Sequence, residues 1–217
     1  MSHTTSASET NAAAEPVASS PRRRPAPGQR RLQILQTLAQ LLQEPGAERV
    51  TTAALARQLQ VSEAALYRHF ASKAQMFEGL IDFIESSVFT LVQQIQQQQG
   101  DGEHEGARSA ARIVAVVAQF AEANPGLARV MVGDALVLEH VRLNERMERF
   151  FGKVEAQLRQ CLRPQADTTS VVAPAAEAQL RAALLVDLLR GRLQRWVRSG
   201  LHERPTRQLM EALALVL

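Results

Sequence analysis

Thr51-Thr52-Ala53-Ala54-Leu55-Ala56-Arg57-Gln58-Leu59-Gln60-Val61-Ser62-Glu63-Ala64-Ala65-Leu66-Tyr67-Arg68-His69-Phe70, closed by Ala71-Ser72-Lys73, decides the fold of this 217-residue chain. Thr51 or Thr52 caps a short helix carrying Leu55, Ala56 and Leu59. Ser62 caps a second helix that runs to Phe70, with Glu63 placed favourably in its first turn. Leu55, Leu59, Val61, Leu66 and Phe70 form the apolar seam between the two, and Ala56 and Ala65 are small where backbones must approach. Two short helices joined by a tight turn and packed by a third make a helix-turn-helix. That leaves Ser62, Glu63, Ala64, Tyr67 and Arg68 on the outer face of the second helix, the one that enters a DNA major groove.

Each polar residue has a task available on a duplex. The hydroxyls of Thr51, Thr52 and Ser62, with the helix N-terminal amides, suit phosphate oxygens. Arg68 reaches guanine or a phosphate, and Glu63 accepts from a cytosine amine. Tyr67, His69 and Lys73 lie at the rim, where the DNA backbone passes. Plainer readings stand beside these: Tyr67 and His69 as half-buried side chains, Thr52 and Ser62 as caps alone.

Outward from this segment the chain reads as helix after helix. Leu35, Leu38, Ala39 and Leu42 give the i, i+3, i+4, i+7 stripe before the Pro45-Gly46 stop. Ser72 opens a long helix with Phe77, Leu80, Ile81, Ile84, Val88, Leu91 and Ile95 on one face, ending in the glutamine-rich Gln93–Gln99 stretch. Further helices are expected at about 106–122, 125–132, 134–162, 174–199 and 205–216, with Pro125, Pro164, Pro174 and Pro205 at the breaks. No segment alternates as a strand does. The class is all-α.

Charge and composition narrow the function. The net charge is only +3 and the sequence pI about 9.7, but the charge is uneven. Residues 22–75 carry nine basic and three acidic residues, net +6, whereas residues 76–217 carry 16 basic and 17 acidic ones. Residues 1–27 are Ser, Thr, Ala, Pro and Arg with little to bury and read as a disordered basic tail. Its Arg22–Arg24 could track phosphates or the minor groove. One cysteine, Cys161, cannot build an intramolecular disulfide or a cysteine metal site, and favours a reducing compartment. Gln33, Gln36 and Gln40 break up Leu32–Leu42, so no apolar export signal follows the arginines. The organisation expected is thus a tail at 1–27, a DNA-binding domain at 28–75 and a helical dimerisation and partner-binding domain at 76–217, in a soluble cytoplasmic protein.

Taken whole, the quoted segment resembles the DNA-binding domain of the TetR family. That family's pattern is a Thr-led helix, a Gly-Val-Ser-type turn, Leu-Tyr-x-His-Phe and a nearby lysine. Val61-Ser62, Leu66-Tyr67-Arg68-His69-Phe70 and Lys73 keep the pattern. Gln60 stands where the family has glycine and should cost about 1 kcal/mol if a positive φ persists. Met76-Phe77, Asn124-Pro125-Gly126-Leu127, Glu155–Gln160 and Val197-Arg198-Ser199 extend the likeness to the nucleoid occlusion factors of that family, over about residues 28–205. The resemblance implies a homodimer, and possible dimers of dimers, on scattered palindromic sites in double-stranded DNA. It further implies capture of the C-terminal tail of the division protein FtsZ and disruption of FtsZ polymers over unsegregated chromosome.

The resembled partner groove lies between the long helix and the next, which makes Phe83 and Asn124 the partner-binding candidates. Phe83 and Phe89 both fall off the long helix's apolar stripe, which suits either a helix covered on several sides or, for Phe83, a peptide anchor. Basic neighbours are less recognisable there, with Leu91 and Ala123 nearby. Leu180, Leu184, Leu188 and Gly191 mark a helix that forms the dimer's four-helix bundle with the last one, glycine serving a close approach. Arg190, Arg192, Arg195 and Arg198 read as a solvated face or intersubunit pairs rather than a second DNA site, and Trp196 as a core or interface residue. The competing function is a ligand-responsive TetR-type repressor, which needs a roomy apolar cavity within 76–217. An enzyme fares worse: the five histidines show no metal-ligand spacing, and no phosphate loop or nucleophile elbow is present, so neither cofactor nor metal is expected.

Overall fold

The computed structural model describes residues 28–44, 50–98, 100, 102, 104–163 and 173–217. The expected tail at 1–27, the Pro45-Gly46 stop and the Pro164 break lie outside the described residues. Among those described, every regular element is helical: α1 Gln29–Gln43, α2 Thr52–Gln58, α3 Glu63–Tyr67, α4 Lys73–Gln97, α5 Glu105–Ala123, α6 Pro125–Met131, α7 Val141–Leu162, α8 Pro174–Arg198 and α9 Leu209–Ala214, with a 3₁₀ turn at Asp134–Leu136.

The N-terminal helices begin where short hydroxyl side chains satisfy orphan amides. Thr51, Ser62 and Ser72 accept from the amides of Ala54, Ala65 and Gln75 at 3.1, 3.3 and 3.2 Å, each cap being worth about 1 kcal/mol. The seam closes as expected, with Leu55, Leu66 and Phe70 each 1% exposed. Leu59 and Val61 are only half-buried against it. On α1 the buried face is Ile34, Thr37, Leu38 and Leu42, while Leu35 and Ala39 sit partly covered at its edge. Arg31 ties α1 to the end of α3: its guanidinium donates to the His69 carbonyl at 2.5 Å and stacks over Phe70 at 4.1 Å.

α5 is the axis of the C-terminal body. Ala110, Ile113, Val114, Val117, Ala118 and Ala121 are fully buried, and their small size lets α4, α6, α7, α8 and α9 all pack against it. Side-chain pairs fix how the long helices run. Lys73 pairs with Glu139, Asp82 with Arg146, Glu85 with Lys153 and Gln96 with Gln157, so α4 and α7 are parallel. Gln179 meets Glu155 and Arg159, and Arg190 meets Glu148, so α8 runs back antiparallel to α7.

Two expectations are corrected. The helix expected over 134–162 is interrupted: Gly133 (φ 79°) ends α6, the 3₁₀ turn follows, and α7 starts only after His140, whose Nδ1 accepts the Arg142 amide at 3.2 Å. No proline or glycine in residues 134–140 announced this break. The last helix spans Leu209–Ala214 rather than 205–216, because Arg192 holds the preceding stretch through the carbonyls of Pro205, Arg207 and Gln208. Nothing in the chain lies within 4 Å of a Cβ built at Gly191, so that face of α8 is open. Trp196 is core, 3% exposed.

Candidate nucleic-acid interface

The turn between α2 and α3 is a Schellman motif. Val61 N–H donates to the Ala56 carbonyl at 3.0 Å and Gln60 N–H to that of Arg57 at 3.1 Å, which puts Gln60 at the left-handed position with φ 55°. The glycine departure thus leaves the geometry intact at a local cost. Gln60→Gly is expected to stabilise the fold by about 1 kcal/mol, seen as a rise in the urea midpoint at unchanged m.

On the outer face Thr51, Ser62, Glu63, Ala64 and Arg68 are exposed, and Tyr67 is 46% exposed. Thr52, His69 and Lys73 are half-buried. Three candidates are already engaged. Thr52 donates its hydroxyl proton to Glu63 Oε2 at 2.6 Å, so Glu63 also clamps the start of α2 to the start of α3. The Lys73 ammonium pairs with Glu139 and lies 5.6 Å from the Phe77 ring centre. Glu139 is 66 residues away in sequence, and no local pattern could have announced it. The surface therefore offers hydroxyls, the Arg68 guanidinium, which has no ion pair among the described residues, and an exposed phenol on a convex helix; these can bind a polyanion's backbone and groove edge.

Phe83 and Asn124 come together, with a third wall that sequence reasoning missed. A groove of about 460 Å³ is lined by Leu80 and Phe83 of α4, by Ala123–Leu127, and by Leu32, Leu35, Gln36, Ala39, Gln40 and Gln43 of α1. Phe83 is 45% exposed and tilts against Phe120 with ring centres 6.5 Å apart. Phe89, by contrast, is partly buried against the core, packing edge-on on Phe150 at 5.9 Å. Asn124 Nδ2 donates to the Phe120 carbonyl at 2.8 Å, closing the end of α5. Leu32, 48% exposed and off the buried face of α1, was the available signal for the third wall.

Known proteins resemble the chain in both of its parts. A family model described as bacterial regulatory proteins, tetR family, matches residues 34–80. A second, SlmA-like and described as tetracyclin repressor-like, C-terminal domain, matches residues 108–217. The protein named nucleoid occlusion factor SlmA from Marinomonas sp. is 46% identical over 176 residues, 81% of this chain and 87% of its own. That of Photobacterium profundum is 46% identical over 178 residues, 82% and 88% of the two chains. Among solved structures, FadR from Bacillus subtilis in complex with stearoyl-CoA superposes with TM-score 0.66 at 13% identity, covering 85% of this chain and 96% of its own. PfmR from Thermus thermophilus gives 0.63 at 20%, covering 85% and 94%. These two are likenesses of fold alone. Identity held across both the helix-turn-helix and the helical body, over some four-fifths of its length, shows that the chain belongs to the TetR family of DNA-binding regulators and, within it, to the SlmA nucleoid occlusion factors.

Proposed function

We propose that the protein, as a dimer on palindromic chromosomal sites, captures the C-terminal tail of FtsZ and breaks down FtsZ polymers, so that no division ring assembles over the nucleoid. The observation that carries this reading is the groove with Phe83 exposed on it, walled jointly by α1 of the DNA-binding part and by α4 and the α5–α6 junction. A peptide lying there touches both parts of the molecule, so DNA that repositions α1 changes the affinity of the groove. Thr51, Thr52, Ser62, Tyr67, His69 and Lys73 serve as backbone contacts, while Glu63, Ala64 and Arg68 face the bases. The working division is a tail at 1–27, DNA binding at 28–75 and dimerisation and partner binding at 76–217, with α4 continuous across the last boundary. The protein works on the nucleoid in the cytoplasm; no described helix is long and apolar enough to cross a membrane.

A dimer is supported by α8 and α9. Leu180, Leu184 and Met210 are 59%, 57% and 54% exposed, too much apolar surface along one helix pair to leave to water. Gly191 continues the same α8 stripe and is open to a second copy of the helix.

Sedimentation of FtsZ polymers with the protein, with and without site DNA, tests the proposal. Polymer is expected to be lost, and more so with DNA; no loss in either case ends the reading. Phe83→Ala should weaken tail-peptide binding by about 2 kcal/mol, roughly thirty-fold, at nearly unchanged thermal stability because the ring is half in water. A chromosome-wide binding map separates the alternative: many sites thinning toward the replication terminus fit occlusion, and one or two promoters a ligand-responsive repressor.

A further inference from the structure

From Arg190 to Gln208 the chain carries six arginines and one acid, Glu203, a net +5 within 19 residues. The structure sorts these cations into two kinds. Arg190 is spent on Glu148, and Arg192 on three backbone carbonyls. Arg192 thereby folds the α8–α9 connection so that Arg195, Arg204 and Arg207 line one cleft of about 190 Å³ with it, four cations against the single acid Glu203. Arg204 lies 3.6 Å from Glu122 but is 73% exposed. Arg195, Arg198 and Arg207 are exposed, and among the described residues none has a carboxylate within ion-pair distance.

The position of this cluster follows from the helix directions. α4 leaves the helix-turn-helix at Lys73, and Lys73 is level with Glu139 just ahead of α7. α8 runs antiparallel to α7, so its last turn, with Arg195 and Arg198, returns to that same end. The end of α5, which holds Thr206 through Glu122, continues directly into α6 packed on α1. The arginines therefore sit on the side of the helical body that faces where the helix-turn-helix faces.

A dimer that places two recognition helices on one duplex has its twofold axis pointing at the DNA. Both copies of α8 then run toward the duplex. Arg195 and Arg198 lie at the duplex end of the stripe that continues Leu180, Leu184, Asp187 and Gly191, beyond its one acid, so in such a dimer they come near the same arginines of the second copy. Exposed like charges gathered in this way make a surface that attracts a polyanion.

Resting on the DNA-binding reading above, we infer that Arg195, Arg198, Arg204 and Arg207 form a second, sequence-independent phosphate-binding surface that faces the same duplex between the two recognition helices. The surface adds affinity and carries no base preference.

The test is salt-dependent binding of the full chain to a duplex bearing the mapped palindrome and to a scrambled duplex. In Arg195→Gln/Arg198→Gln/Arg207→Gln the slope of log affinity against log salt should fall by about two to five, at about 0.9 per phosphate contact. Both duplexes should lose at least about tenfold at physiological salt, leaving their ratio unchanged. The triple arginine-to-lysine variant should keep the slope. Arg68→Ala, in contrast, should shrink the ratio between the two duplexes. A glutamine variant that is a folded dimer with an unchanged slope overturns the inference. So does a variant that sediments as a monomer, which assigns the arginines to the subunit interface, or one whose only loss is binding to anionic phosphatidylglycerol vesicles. Should the triple variant not fold by circular dichroism, Arg198→Gln and Arg207→Gln each decide by a slope loss of about two per dimer or none. Wild-type protein that binds neither duplex fails the DNA-binding reading itself.

Discussion

Gly126→Ala is expected to destabilise the protein by about 3 kcal/mol and to abolish tail-peptide binding. A Cβ at position 126 would stand 1.9 Å from the Ala39 carbonyl oxygen, 2.9 Å from its carbon and 3.3 Å from the Gln43 amide nitrogen. All three are backbone atoms of α1, so no side chain can swing aside. Relief requires α6 to lift from α1. Overpacking of side chains costs about 1–3 kcal/mol, and a backbone obstacle belongs at the top of that range. The same displacement pulls Asn124–Leu127 away from Ala39 and Gln43, which together border the groove. Gly152→Ala is the control: it lies inside α7, exposed, with nothing within 4 Å of its Cβ, and should gain about 0.5–1 kcal/mol from helix propensity. Urea unfolding of both variants, with peptide titration on Gly126→Ala, checks the pair. Equal stability of Gly126→Ala and the parent would mean that α6 does not seat on α1 in solution as described.

How far this could be read from sequence depends on how local each determinant is. Caps at Thr51, Ser62 and Ser72, the seam of Leu55, Leu66 and Phe70, and the left-handed Gln60 are set within a few residues. Each shows directly in the residue pattern. The break at 137–140 is also local, but histidine is an unusual N-cap, and neither Gly nor Pro announces it before α7. What escaped entirely is long-range: Glu139 on Lys73, α1 as the third wall of the groove, and Gly126 against Ala39. Asn124-Pro125-Gly126 looks like a helix break because each residue suits one; only the packing shows that the glycine serves a helix 87 residues earlier. The arginines of 190–208 were ambiguous for the same reason. Periodicity gives the face of α8, but which end of the molecule that face reaches is fixed by the pairing of α8 with α7 and α7 with α4.

Glu139→Gln is expected to tighten DNA binding, and Lys73→Gln to weaken it. The Lys73 ammonium sits at the first residue of α4, next to the helix-turn-helix, yet it is committed to a carboxylate whose side chain is only 12% exposed. A phosphate arriving at the rim must compete with Glu139 for that cation. Charge-assisted bonds of this kind are worth about 1.5–3 kcal/mol each, and a dimer has two. Removing the competitor should therefore raise affinity some ten- to a hundred-fold for each subunit's contact and steepen the dimer's salt slope by about two, at about 0.9 per phosphate. Lys73→Gln should lower both by similar amounts. The double variant decides the mechanism: if Glu139 acts only through Lys73, Lys73→Gln/Glu139→Gln binds DNA like Lys73→Gln alone. Melting curves keep the stability effect apart, since each single change strands a half-buried charge or cavity and costs on the order of 1 kcal/mol. Affinity that stays at the parent value in Glu139→Gln, with melting lowered, would make the pair a strut between α4 and the α6–α7 connection. Affinity that rises would mean that DNA, in taking Lys73, releases the Glu139 connection. Val137, Leu138 and Val141, 74%, 65% and 64% exposed, would then move with DNA occupancy, carrying the signal from the duplex into the helical body.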